Sequence, residues 1–350
     1  MGQVKDDVKY RVIQWYTGAI ACEQVRAIHR HPDLELVGAV VHHDEKVGKD
    51  VGEIAGIGPI GVPCIQDMDT ALQVEADCVL YNAPYEHYDE IIPILESGKN
   101  VVSPIGPWYA EEIEDRDALI AACEKGAATV AGAGVNPGWQ GDLLPLIASS
   151  ACTEIDHILV REFADISGFT PFTVTEVMGF GKAIAELQEN QGFLDYMVGC
   201  FKQTAAIVAA GIGRPHQEIE TEVDYFAASK DCMDGRVKQG TMAGLRLGVH
   251  AVHDGRRTVK QETNWFVDPA ALEHWGLPDR RHGWSIEIQG RPDVEMSIHV
   301  GGEDEGVRGT AARVINTIPM VCEAKPGILG GLDMPLPRAW RVPLTTDAVK

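Results

Sequence analysis

The residues best placed for chemistry lie in VIQWYTGAIA, 12–21. The apolar run 11–15 has the character of a strand buried in a parallel sheet, and 20–31 has helical periodicity, with Ile20, Ala21, Val25 and Ile28 on one face. Thr17, Gly18 and Ala19 form a tight turn between them. This order leaves the first N–H groups of the helix unpaired. With the helix dipole they make an anion site suited to the pyrophosphate of a dinucleotide. The match to G-x-G-x-x-G is incomplete. Gly18 is the central glycine and Ala21 an allowed third residue, but Tyr16 stands where the first glycine serves the turn. The same pattern also fits a plain βαβ unit without a ligand.

A second chemical signal follows the apolar run 34–41. An acidic residue at the tip of that strand binds the ribose 2′-hydroxyl of NAD, whereas basic residues suit the 2′-phosphate of NADP. Here the tip reads Val41-His42-His43, with Lys46 and Lys49 near and Asp44 two residues late. The balance favours NADP and leaves NAD open. No other chemistry has comparable support. The eight cysteines are scattered without a C-x-x-C, the histidines have no metal-ligand spacing, and no G-x-S-x-G occurs.

Composition bounds the partners. The chain has 350 residues, enough for about two domains. A net charge of -22 argues against a nucleic-acid backbone as partner. No apolar run reaches membrane-spanning length. The opening residues lack the apolar core of a secretory signal, Asp6 stands where a myristoylation signal wants Ser or Thr, and the cysteines read as reduced thiols, so the expectation is a cytoplasmic protein.

These signals need elements to hold them. Strands are expected at 11–15, 34–41, 76–81, 100–103 and 128–133, with helices at 20–31, 86–96 and 110–125 and a short helix within 48–61. Such alternation means a doubly wound parallel sheet. Past Trp139 the texture changes. Helix is expected at 140–149, strand at 155–163, and mainly helix over 175–213, broken near 179–181 and at Gly192. Two hairpins follow, 244–253 with 257–266 about Asp254-Gly255-Arg256, and 284–289 with 294–300. Helix returns at 309–322. The fold class is therefore α/β, a Rossmann-type sheet plus an α+β domain with a largely antiparallel sheet, whose open face a homodimer would bury.

Five stretches together resemble the dihydrodipicolinate-reductase-like oxidoreductases, in the branch of 2,4-diaminopentanoate dehydrogenase and the native amine dehydrogenases. They are VIQWYTGAIA, LELVGAVVHHDEKVGKDVGEIAG at 34–56, NPGWQGD at 136–142, EVMGFGK at 176–182 and NTIPMVCEAKPGI at 316–328. The resemblance implies a dinucleotide-binding domain over 1–138, completed by the segment from about 310 to 350, and a substrate and dimerisation domain over 139–309. It implies hydride transfer to a C=N or C=O carbon. By resemblance, Tyr16, Thr17, Gly18, Ala19 and Ile20 form the pyrophosphate turn, and His42, His43 and Lys46 flank the adenosine ribose. Ala83, Ser103 and Asn136 then sit near the nicotinamide, and Trp139, Leu144 and Phe169 line the substrate pocket. Amine-forming members place a glutamate shortly after the strand ending V-V-S. The matching position here is Gly106, and the next carboxylate is Glu111. The histidine-rich helix of the true dihydrodipicolinate reductases is also missing.

Without that carboxylate, reduction of a preformed iminium suffers less than ammonia-dependent amination, whereas a ketone needs a Tyr, His or Lys proton donor. Candidate donors are Tyr109, just beyond 100–103, then Tyr85, and His250, which alternation places beside Arg246. Packing or a solvated sheet face is the competing account of each. Glu162, Asp165 and Asp142 read as structural. The leading expectation is an NADP-preferring reductase or dehydrogenase of small, mostly apolar imines, amines or carbonyls. The alternatives are a ketone or aldehyde reductase with a tyrosine donor, and a non-catalytic dinucleotide-binding protein.

Overall fold

The structure is a computed structural model that describes residues 9–168, 172–301 and 305–343. The chain divides into two compact units, residues 1–139 with 302–350, and residues 140–301.

In the first unit, chain order gives β1 Tyr10–Trp15, α1 Ala19–Arg30, β2 Leu34–Val40, α2 Val51–Ile54, β3 Cys64–Ile65, α3 Met68–Gln73, β4 Cys78–Tyr81, α4 Tyr88–Glu96, β5 Asn100–Ser103, α5 Arg116–Gly126 and β6 Thr129–Gly132. The second unit supplies α6 Leu143–Ser149, β7 Glu154–Asp165, α7 Phe172–Val177, α8 Ile184–Glu189, α9 Gly192–Gly211, β8 Glu218–Ala227, β9 Met242–His253, β10 Arg256–Phe266, α10 Ala270–His274, β11 His282–Arg291 and β12 Val294–Ile298. The chain then returns to the first unit with α11 Glu305–Glu323 and β13 Gly327–Ile328.

The first sheet runs β13-β6-β5-β4-β1-β2-β3, all parallel. Apolar residues go to both faces in turn, as a sheet covered on two sides requires. Ile13, Val79 and Val101 pack with Ile91 and Ile94 of α4 and Leu119 of α5. Val12, Leu80 and Val102 pack with Ile28 of α1 and Val314 and Ile318 of α11. The strand order reverses between β1 and β4, and such a switch point opens a crevice at the carboxyl ends of the strands.

The second sheet runs β12-β11-β7-β10-β9-β8 and is antiparallel except where β7 and β10 pair in parallel. Asp254 and Gly255 both take positive φ, 50° and 69°, as the D-G hairpin requires. One face packs on α9 through Val160, Val259, Ala205 and Val208.

Two helices differ from the sequence expectation in ways that matter for the site. The expected helix 110–125 is a 3₁₀ turn, Ala110–Glu112, and then α5. Glu111, Glu112, Glu114 and Asp115 crowd negative charge into that stretch, and Ile113 takes an extended conformation and packs on the core instead. The expected helix 86–96 begins at Tyr88, with His87 extended as its cap. Glu86 is therefore a loop residue at the carboxyl edge of the sheet. The strands β3, β8 and β13 were not foreseen. β3 and β13 have two residues each, and β8 is an edge strand of alternating acidic and apolar residues.

Candidate active site

The turn after β1 leaves the N-terminus of α1 open. Gly18 caps α1 with no side-chain hydrogen bond, and the first turn carries no acidic residue. The first N–H groups of the helix and its dipole are thus not neutralised by a carboxylate of that turn. Gly18 has an ordinary extended backbone, φ −78°, and a Cβ added to it would meet nothing within 4 Å. The protein itself therefore has no steric need of glycine there, whereas a pyrophosphate approaching the backbone does. Ala21, the third motif residue, is fully buried. A reciprocal amide pair, Gln24 Nε2 to Asn82 Oδ1 at 3.1 Å and Asn82 Nδ2 to Gln24 Oε1 at 2.8 Å, ties α1 to the end of β4. These residues fit a dinucleotide.

Tyr16 adopts the left-handed conformation, φ 70°, that a glycine would otherwise supply. That costs about 1–2 kcal/mol for a residue with a Cβ. Its contacts offset the cost. The ring stacks on His42 with centroids 3.8 Å apart and meets Tyr81 edge-on at 5.8 Å. His42 Nε2 lies 2.8 Å from Glu90 Oε1, and the Tyr81 hydroxyl donates to Glu90 Oε2 at 2.6 Å. Burial and the Glu90 carboxylate push the Tyr16 phenol up to about 12. His42 is thus turned onto Tyr16 and Glu90, and His43 is exposed. Lys46 Nζ donates to Thr17 Oγ1 at 3.0 Å, which draws the basic loop back to the turn.

Beyond the switch point lie the ends of β4, β5 and β6. Ala83 and Ser103 are buried, and Ser103 Oγ accepts from the Ile105 N–H at 3.2 Å. Gly106 has φ 117°, a conformation that favours glycine, and a Cβ built on it collides with Glu86 Oε1. The Glu86 carboxyl thus fills the space that a side chain at position 106 would enter, against the Trp108 ring. Glu86 Oε1 is sealed from solvent without a hydrogen-bond partner. Burial pushes its pKa up to about 7, against a hydrogen bond from Tyr88 that lowers it. Asn136 Oδ1 is likewise buried without a partner, and Trp139 is half-buried at the end of the same turn. Tyr109 is half-buried. Burial, then Glu111, Glu112 and Asp333, raise its phenol, which makes it a weaker acid.

In the second unit the expected residues are held by structural partners. Glu262 is fully buried and gathers Arg161 at 2.5 Å, Arg246 at 2.8 Å and Lys260 at 2.8 Å. Arg246 is thus neutralised by Glu262, and His250 lies 3.2 Å from Glu222. Burial lowers the His250 pKa, in spite of Glu222. Leu144 packs toward the core with Ala148 and Val208. Asp142 caps α6 through the Leu143 N–H, Glu162 accepts from Thr263, and Asp165 pairs with Arg281. Phe169 lies outside the described residues. Among those residues no group of three His, Cys, Asp or Glu side chains is placed to hold a metal.

Sequence reasoning missed Glu86, Glu90 and Tyr81. The signal for Glu86 was present but weak: it follows the strand end 82–85, and Gly106 is the glycine that makes room for it. An acidic residue opening an apparent helix looks ordinary.

The parallel sheet, its switch point and the open glycine turn define the class. The protein has a Rossmann-type fold, and its relatives place it among the oxidoreductases. Residues 12–126 match the family "Dihydrodipicolinate reductase, N-terminus", and 141–348 match the "2,4-diaminopentanoate dehydrogenase C-terminal domain". The chain is 30% identical to an amine dehydrogenase of Streptomyces virginiae, over 93% of this chain and 96% of that one. It is 28% identical to the 2,4-diaminopentanoate dehydrogenase of Acetoanaerobium sticklandii, over 72% and 71% of the two chains. Its fold superposes on an amine dehydrogenase from Mycobacterium smegmatis with a TM-score of 0.77, at 19% identity and covering 95% and 98% of the chains. The chain belongs to the dihydrodipicolinate-reductase-like oxidoreductases, in the branch of amine dehydrogenase and 2,4-diaminopentanoate dehydrogenase.

Proposed function

We infer that the protein reduces the C=N carbon of a small, mostly apolar imine, or runs the reverse oxidation of the amine, with NADPH preferred over NADH. The observation that carries this reading is Gly18, a glycine with open space before it at an uncapped helix N-terminus, in a chain similar over its length to an amine dehydrogenase. The bound cofactor supplies a hydride to the electrophilic carbon, and the protein's part is to position both. Thr17, Gly18, Ala19 and Ile20 hold the pyrophosphate. The tip Val41-His42-His43 offers no carboxylate to a 2′-hydroxyl, and Lys46 stands by for a 2′-phosphate. The adenosine occupies the β1–β3 half, so the nicotinamide reaches the ends of β4, β5 and β6, beside Ala83, Ser103 and Asn136. Asn136 Oδ1, buried without a partner, is suited to accept from an amide N–H. Gly106 and Trp139 border the space for substrate. We place the protein in the cytoplasm as a homodimer.

The test is a titration with NADPH and with NADH, followed by turnover of a cyclic imine and of cyclohexanone with ammonia. Tighter binding of NADPH and reduction of the imine are expected. Binding of neither cofactor overturns the reading.

A further inference from the structure

We propose that Glu86 is the proton-transfer group of the active site, placed by its loop in the space that the missing side chain of Gly106 leaves to it. The inference rests on the oxidoreductase reading above and adds the residue that handles protons at the reacting nitrogen.

The geometry comes from two loops that meet. Glu86 follows β4 and Gly106 follows β5, and these strands are neighbours in the sheet. Both loops lie on the half of the crevice assigned to the nicotinamide. Glu86 Oε1 lies so close to the Gly106 Cα that no larger residue fits there without moving it. The Trp108 ring walls the same space. A buried carboxyl oxygen without a donor is costly to a fold, and such orphaned groups call for a functional account.

The other titratable side chains at these strand ends are less suited. Tyr85 is exposed, Tyr88 gives its hydroxyl to Glu86 and faces Glu114 and Asp115, and the Tyr109 phenol is raised by burial and three carboxylates. Proton transfer is most efficient when the group titrates near the working pH, and Glu86, at about 7, does so.

The chemistry closes in two transfers. Carboxylate Glu86 takes a proton from ammonium, which frees ammonia to add to the carbonyl carbon. The resulting carbinolamine loses its hydroxyl as water when protonated Glu86 returns that proton. The product is an iminium ion, and the sum is carbonyl plus ammonium to iminium plus water. No electrons move in these steps, and Glu86 ends as it began. A cyclic imine enters past both.

Glu86→Gln separates this proposal from the reading beneath it, because it keeps the size of the side chain and removes the titration. Turnover of cyclohexanone with ammonia is expected to fall by about 10²–10⁴-fold, the usual contribution of a positioned acid or base, while reduction of a preformed cyclic imine falls by less than about tenfold and NADPH binding is unchanged. Cofactor-free protein gives an independent readout. A carboxyl raised from 4.5 to about 7 binds its proton more tightly in the folded state. Its contribution to stability is therefore present in full below pH 4.5 and is lost as pH rises through 7. The wild-type melting temperature is expected to decline across that window, with a smaller slope in Glu86→Gln. Equal losses on both substrates, or unchanged amination, would overturn the role of Glu86 while leaving the oxidoreductase in place. An unchanged pH slope would also overturn it. A wild type that binds no dinucleotide would instead remove the underlying reading.

Discussion

Gly18→Ala tests whether the turn after β1 is shaped by the fold or by a ligand. The backbone at Gly18, φ −78° and ψ −172°, is open to alanine, and the new methyl would meet no protein atom within 4 Å. Two opposing terms set the stability. Fewer conformations in the unfolded chain favour the variant by about 0.4–1 kcal/mol. Alanine is a poorer N-cap than glycine, at a cost of about 0.5–1 kcal/mol. They nearly cancel, so urea denaturation of the cofactor-free protein should give a change within about 0.5 kcal/mol. Binding should behave differently. The methyl projects into the space assigned to the pyrophosphate, and a loss of about 1.4 kcal/mol or more raises the NADPH Kd at least tenfold. Gly18→Ser sharpens the contrast. Its hydroxyl can cap α1 and should stabilise the apoprotein by a few tenths of a kcal/mol or more, while binding is lost as in the alanine variant. Nucleotide fluorescence measures the Kd. An unchanged Kd in both variants would refute the cradle. A stability loss above about 2 kcal/mol would show that the space at Gly18 is not open.

Other consequences can be measured on the same preparations. Tyr16→Gly relieves about 1–2 kcal/mol of left-handed strain but gives up the stack on His42 and the edge contact with Tyr81, with about 2–3 kcal/mol of ring burial. The net expectation is a lower melting temperature, and a higher one would mean that the ring contributes little. Glu262→Gln weakens the hold on Arg161, Arg246 and Lys260 and should cost about 3–5 kcal/mol in urea unfolding. Burial raises Glu262, but Lys260, Arg161 and Arg246 outweigh it and hold the carboxyl at about 2. Its stabilisation is present above the unfolded value of 4.5 and is lost as pH falls toward 2, so wild type should weaken between pH 4.5 and 2 more steeply than Glu262→Gln. Burial, Glu111, Glu112 and Asp333 make the Tyr109 phenol a weaker acid, so Tyr109→Phe is expected to leave reduction of a preformed iminium, and any reduction of a ketone to the alcohol, within a few-fold of wild type. A selective loss of ketone reduction in the variant would make Tyr109 a proton donor and count against Glu86 as the group that serves this site.

Much of this protein is written locally. The strand–helix alternation to residue 133 reports the parallel sheet, because strands buried on both faces read as short apolar runs and their covering helices as one-sided stripes. The Asp254-Gly255 turn was legible for a similar reason, since its backbone requirement falls on two residues, and Gly18 was legible from its place between a strand and a helix. Where the pattern misled, a nonlocal force decided. Ile113 leaves the helical path to reach the core, and β8 exists because β9 offers it an edge to pair with. Tyr16 holds a glycine's conformation because His42, Glu90 and Tyr81 arrive from three other elements to receive its side chain. The meeting of Glu86 with Gly106 is of the same kind. Each residue taken alone is an acid before a helix and a glycine in a loop. Only the pairing of β4 with β5 brings the two loops together, and only burial there gives the carboxyl a proton to exchange near neutral pH. Sequence by itself determined the parallel sheet and the glycine turn between β1 and α1. Tertiary structure decided which carboxyl stands beside Gly106, because periodicity records which face of an element is buried and strand order alone records which loops become neighbours.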